Sequence, residues 1–230
     1  AVTSKEAGLA VPDWPLSYGS LNPPGWWHIE NVRLEHGHRL FATFVGFLTT
    51  TLMVWIGFEE KRRWMRWLGV VAFLLVLFQG ILGGLRVTLL STELAIVHAC
   101  IAQAFFCLTI FLALATSSHW RDYCILYHDK GFFNFRNLSC GLFGLVYLQL
   151  ILGASMRHLG AGLAIPDFPL AFGKWIPPFV DPKVIIHFTH RMTALLIATF
   201  SIINVIYVAA KWPLEKRLVI PSLALIVLVS

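Results

Sequence analysis

A few residues in this sequence have the types and spacing for chemistry in an apolar setting. Glu35, His36 and His38 stand in LEHGHR (34–39), His98 in LAIVHACIAQ, and His187 and His190 in IHFTHR (186–191). Glu35 and His38 are three apart and share a helix face. Ionisable side chains within membrane segments default to function. Two imidazoles on different helices at similar depth can bind the two faces of a haem iron. The alternative is unrelated polar residues satisfied by backbone or water. Glu35 is either a helix N-terminal charge favoured by the macrodipole or a base or electrostatic partner beside a ligand held through His38. His28, His119, His128 and His158 read as solvated or interfacial histidines.

The composition says what must position these groups. Of 230 residues, 57% are hydrophobic and 13% charged, and the mean hydropathy is +0.72. An average soluble domain is about one quarter charged, so a soluble enzyme and a disordered chain are both excluded. Five stretches free of Asp, Glu, Lys and Arg (40–58, 67–85, 94–116, 138–156 and 192–210) are long enough to span a membrane. A sixth, 218–230, is apolar but short. The first helix is expected to run inward from Arg39. His38 and His98 then each lie within about one turn, 5.4 Å, of an outer helix end.

Lys and Arg set the orientation. The connections 59–66, 117–136 and 211–217 are short and hold ten of them, whereas the longer opposite segments hold six. The positive-inside rule puts the dense set in the cytoplasm and the histidines toward the outer side. The net charge of +6 is therefore read as membrane anchoring, with no nucleic-acid partner. The four cysteines show no metal spacing and no disulfide framework.

A duplication organises the chain. AGLAVPDWPLSYG (7–19) returns as AGLAIPDFPLAFG (161–173), with nine of thirteen positions identical. Each copy precedes a helix-opening motif, LEHGHR and then IHFTHR. The copies face the same side, as in a parallel repeat. A duplicated half should hold four helices, so the chain reads as a segment of an eight-helix parent without its first helix, most of its seventh and its eighth. Glu35 is replaced by His187 in the second copy, which suggests chemistry in the first half and support in the second. FQGILGG (78–84) and LQLILGA (148–154) share a Gln-x-x-Leu-Gly pattern. Gly80, Gly83 and Gly84 permit close helix packing or make room for a flat macrocycle. Arg86 and Arg157 anchor at the interface or pair with propionates. The aromatic loops, with Trp14, Trp26, Trp27 and Trp175, fit an interfacial belt or a lid.

On Glu35-His36-Gly37-His38-Arg39, His98, the two Pro-Asp-Trp/Phe-Pro loops and His190-Arg191, the sequence resembles the haem A synthase family. The resemblance implies an all-α polytopic membrane protein of tandem pseudo-symmetric four-helix bundles. It implies an N-terminal half (1–116) for the substrate haem, a cytoplasmic linker (117–136) and a C-terminal half (137–230) for a cofactor haem b. His38 and His98 would bracket the iron of substrate haem O. Glu35 would stand near the methyl group being oxidised. His190 would be one axial ligand of haem b, its partner lying beyond Ser230. Arg39, Arg86, Arg157, His187 and Arg191 are the candidates for propionate or haem-edge contacts. The implied reaction oxidises the C8 methyl of haem O to a formyl group, giving haem A for terminal oxidases. The implied partners are membrane lipid, haem O synthase, cytochrome oxidase assembly factors and an unidentified electron donor; self-association is left open. The implied location is the bacterial inner membrane or the mitochondrial inner membrane.

Two other readings make different demands. A bis-histidine cytochrome that only relays electrons would use the same histidines without needing Glu35. A transporter would place its polar groups at broken helices near the midplane, whereas these cluster at the outer end. A prenyltransferase would need Asp-rich metal motifs, and the sequence has none.

Overall fold

The computed structural model describes residues 9–118, 120 and 134–229. Its described residues form six α-helices: α1 (Glu30–Glu59), α2 (Arg63–Thr88), α3 (Thr92–Thr116), α4 (Phe135–His158), α5 (Pro182–Lys211) and α6 (Lys216–Val229). The first five are long and apolar enough to cross a membrane. The chain divides into two compact units, Ala1–Cys124 and Ile125–Ser230.

The helices extend past the apolar runs that predict them. α1 starts at Glu30, nine residues before the expected start at Arg39. It has 30 residues, about 45 Å of helix, against a hydrocarbon core of about 30 Å. His38 therefore lies more than two turns inside its helix, and His98 more than one turn inside α3. Hydropathy marks only the lipid-crossing part of a helix. The outer turns carry polar residues that find partners in the preceding loop. α5 repeats this design, with 30 residues beginning at Pro182. Glu35 lies beyond the first turn of α1, so the helix N-terminal charge there is Glu30.

Side-chain caps start α3, α4 and α5. Leu94 N donates to Ser91 Oγ (3.2 Å) ahead of α3, and Asn137 N to Asn134 Oδ1 (2.8 Å) ahead of α4. Lys183 N donates to Asp181 Oδ1 at 2.8 Å, with Pro182 in the first helical turn of α5. Pro there gives up a donor that has no helical partner anyway.

In the first unit, α1 and α3 both pack along α2. Ile56, Met65, Ala72, Leu112 and Ala115 form a buried cluster at the end away from the histidines. Arg62 ties that end together, pairing with Glu60 (2.6 Å) and donating to the Ala115 carbonyl (2.9 Å). The Arg62 guanidinium holds the Glu60 carboxyl down at about 2. In the second unit, α5 packs on both α4 and α6. The outward faces carry large apolar side chains, among them Phe47, Phe58 and Trp67, as a surface solvated by lipid requires.

Candidate haem-binding units

The duplicated loop makes the same turn in both units. In the first, Tyr18 N and Gly19 N each donate to the Asp13 carboxylate at 2.8 Å, and Ser17 and Ser20 exchange backbone hydrogen bonds. In the second, Phe172 N (2.7 Å) and Gly173 N (2.8 Å) donate to Asp167, and Ala171 pairs with Lys174. Tyr18 and Gly19 have φ of 51° and 73°, Phe172 and Gly173 of 55° and 71°. Two successive left-handed residues make a tight turn, and the aspartate satisfies both of their amides. Those amides hold the Asp13 and Asp167 carboxyls below the usual carboxylate range, the Gly19 and Gly173 bonds being the largest causes.

The helix arginines then grip the loop. Arg39 Nη1 donates to the carbonyls of Asp13 and Leu16, both at 2.7 Å, and Nη2 to Val11 at 3.0 Å. Arg191 makes the equivalent bonds to Asp167 (2.7 Å), Leu170 (3.1 Å) and Ile165 (3.1 Å). Val11 and Ile165 are buried beneath the loops. Trp14 lies against α2 so closely that a Cβ on Gly84 would come within 2.3 Å of its ring.

Glu35 completes the first grip. It is 3% exposed; Oε1 pairs with Arg39 at 2.8 Å and Oε2 accepts from Val11 N at 3.0 Å. His187 takes its place in the second unit, with Ile165 N 3.3 Å from Nδ1 and Arg191 Nε 3.1 Å from Nε2. A neutral imidazole has one acceptor nitrogen, so it serves one of these donors fully and not both. The Ala161 carbonyl beside the ring offers a partner for its remaining N–H. His36, buried beside Glu35, meets Ser17 Oγ at 2.8 Å and the edge of Trp26. Its counterpart Phe188 meets Phe179 in the same edge-on way.

The candidate iron ligands lie below these loops. His38 on α1 and His98 on α3 are within electrostatic reach of each other and of Arg86, and Glu35 reaches His38. The first unit thus carries Glu35, His38 and Arg39 on α1, Arg86 on α2 and His98 on α3. His190 lies apart in the second unit, with Arg191 and His187 on its own helix. Arg157 lies in the last turn of α4 and is exposed. The guanidinium groups of Arg39 and Arg191 face the loop carbonyls. His119 and His128 lie outside the described residues.

The residues of the first unit fit a haem. The donor set is two imidazoles on helices that flank a third. No group of three or more His, Cys, Asp or Glu among the described residues could hold a bare metal ion. A porphyrin supplies four nitrogens itself and needs only axial ligands from the protein. A Cβ on Gly83 would come 3.2 Å from His98 Cε1, so glycine is what leaves this ring its place. Nδ1 of His98 is buried with no hydrogen-bond partner among the described residues. His190 fits one side of such a site in the same way, against Gly153.

A sequence model of the family described as cytochrome oxidase assembly protein matches residues 28–229. The chain belongs to this family. Relatives named haem A synthase include one from Halalkalibacterium halodurans, 29% identical, covering 99% of this chain and 76% of the relative. Others come from Shouchella clausii (27%; 94% of this chain, 72% of the relative) and Symbiobacterium thermophilum (29%; 94% and 69%). The family match begins at His28, after the first loop and before its grip on α1. The sequence alone pointed to the histidines, Glu35 and the arginines. The turn-capping role of Asp13 and Asp167 was missed, although an Asp repeated five residues before an aromatic–Gly pair was its signal.

Proposed function

We propose that this chain is a haem A synthase whose first unit holds the substrate, haem O, between His38 and His98. The second unit holds a haem b, with His190 as one axial ligand. The observation that carries this is the convergence of Glu35, His38, His98 and Arg86 in one unit, with Glu35 replaced by His187 in the other. The reaction oxidises the C8 methyl of haem O to the formyl group of haem A. Bound haem supplies the iron and the redox chemistry; the chain's own residues bind, orient and set charge.

His38 and His98 fix the macrocycle from two helices. Glu35 is held by Arg39 and by the Val11 amide. It therefore presents a fixed negative charge close to His38, suited to stabilising positive charge that develops at the oxidised carbon. The Val11 bond ties it to the loop that Arg39 also grips, so it helps fix that loop over the site. Arg86 is the best-placed propionate partner in this unit, and Arg157 the candidate in the second. The dense Lys and Arg connections face the cytoplasm and the loops face outward, in a bacterial inner membrane. Haem O synthase, oxidase assembly factors and an electron donor are the partners this role requires.

Extraction of pigment from the purified protein and its membranes tests the reading. A synthase yields haem O or haem A together with haem b. Haem b alone, with no haem A made in cells that depend on this protein, contradicts it.

A further inference from the structure

We propose that Gln79 and Gln149, each with the glycine one turn further on, are positioning residues for the imidazoles of His98 and His190. This rests on the haem reading above and adds residues that neither the repeat nor the axial ligands include. QGILG (79–83) on α2 and QLILG (149–153) on α4 share spacing and polarity. Residues four apart lie on one helix face, so each glutamine stands directly beside its glycine.

Both glycines meet a histidine ring in the same way, while Gln79 bonds the histidine's backbone and Gln149 its ring. A Cβ on Gly83 would come 3.2 Å from His98 Cε1, and one on Gly153 would come 3.2 Å from His190 Cε1. Gln79 is 9% exposed and donates from Nε2 to the His98 carbonyl at 3.0 Å. Gln149 Nε2 lies 3.2 Å from His190 Nε2. Four atoms in the two cradles are buried without a partner among the described residues: Gln79 Oε1, Gln149 Oε1, His98 Nδ1 and His190 Nδ1. Each cradle thus holds an acceptor lacking a donor and a ring nitrogen lacking a partner.

A histidine on a metal usually donates its other ring N–H to a nearby acceptor, which fixes the ring's orientation and raises its basicity. The carboxamide oxygen is the unpartnered acceptor in each cradle. The glycine lets the ring lie against the helix that carries it. The two cradles sit in different units, on helix pairs that do not correspond in the loop repeat. The element therefore travels with the histidine.

The test uses purified protein carrying its haem. Gln149→Leu removes the acceptor and Gln149→Glu keeps one; Gly153→Ala presses on the ring without touching the glutamine. Gln149→Leu and Gly153→Ala should each shift the low-spin electron paramagnetic resonance g-values of haem b. They should weaken its retention by about 10-fold or more, and Gln149→Glu should restore retention. Gly153→Ala decides alone if Gln149→Leu does not fold. His190→Ala is the control. If it loses haem b while Gln149→Leu and Gly153→Ala keep wild-type g-values and retention, the positioning role is wrong and the haem reading stands. If His190→Ala itself keeps haem b unchanged, the haem reading is what fails.

Discussion

The two units use one loop, one turn and one arginine, but they differ at the residue beneath the loop. Glu35 accepts from both Arg39 and the Val11 amide. His187 faces the equivalent donors with a single acceptor nitrogen. The first unit therefore carries a fixed anion beside its candidate iron ligand, and the second a neutral ring. The difference teaches that the loop grip is the shared structural device and that the carboxylate is an addition to it. A grip that works with either residue does not explain why one unit has a charge; the substrate chemistry proposed for the first unit would.

The largest effects should separate the units outright. His38→Ala or His98→Ala should abolish haem A formation, a fall of about 100-fold or more given what positioning contributes to catalysis, and leave haem b bound. His190→Ala should lose haem b. Loss of haem b from all three variants would erase the distinction between the units.

Next come the arginines. Arg39→Ala strands a buried carboxylate, which costs about 3–5 kcal/mol. Arg191→Ala strands only a neutral ring and should cost about 1–2 kcal/mol by its lost hydrogen bonds. Thermal unfolding in detergent measures both, and equal losses would show that the charge at Glu35 does not distinguish the two grips.

A smaller effect is expected from His187→Glu. It recreates the first unit's acceptor for Ile165 N and Arg191 and should stabilise by about 1 kcal/mol, the Ala161 carbonyl limiting the gain. A loss of stability in that variant would contradict the equivalence of Glu35 and His187.

The smallest effect is common to both units and concerns pH. Asp13 and Asp167 are held below the ordinary carboxylate value by the turn amides. Their contribution is complete above that ordinary value, near 4, and is lost as pH falls through the depressed one. Amide exchange at Gly19 and Gly173 should rise together on acidification, relative to helix amides. A rise at only one of them would mean that the turns are not held alike.

Much of this was legible in the sequence. The five apolar runs gave the membrane helices, because lipid leaves few alternatives to a charge-free stretch of that length. The duplication gave the paired loops, and the histidines stood out because a membrane segment tolerates few of them. The outer turns of α1 were not legible. Glu35, His36 and Arg39 read as a motif opening a helix, and their partners Val11, Ser17 and Leu16 lie about twenty residues earlier in the chain. The glutamine contacts were visible as a shared pattern, but only packing shows that each glycine faces an imidazole. Side chains that meet across helices leave no periodic trace along one.

The central claim is that the first unit is the substrate site, and haem composition tests it most directly. In cells that make haem O, the pigments of membranes carrying the His98→Ala protein should contain haem O and no haem A. The purified variant should retain haem b at the wild-type level. Haem A at the wild-type level in those membranes would contradict the assignment of the first unit.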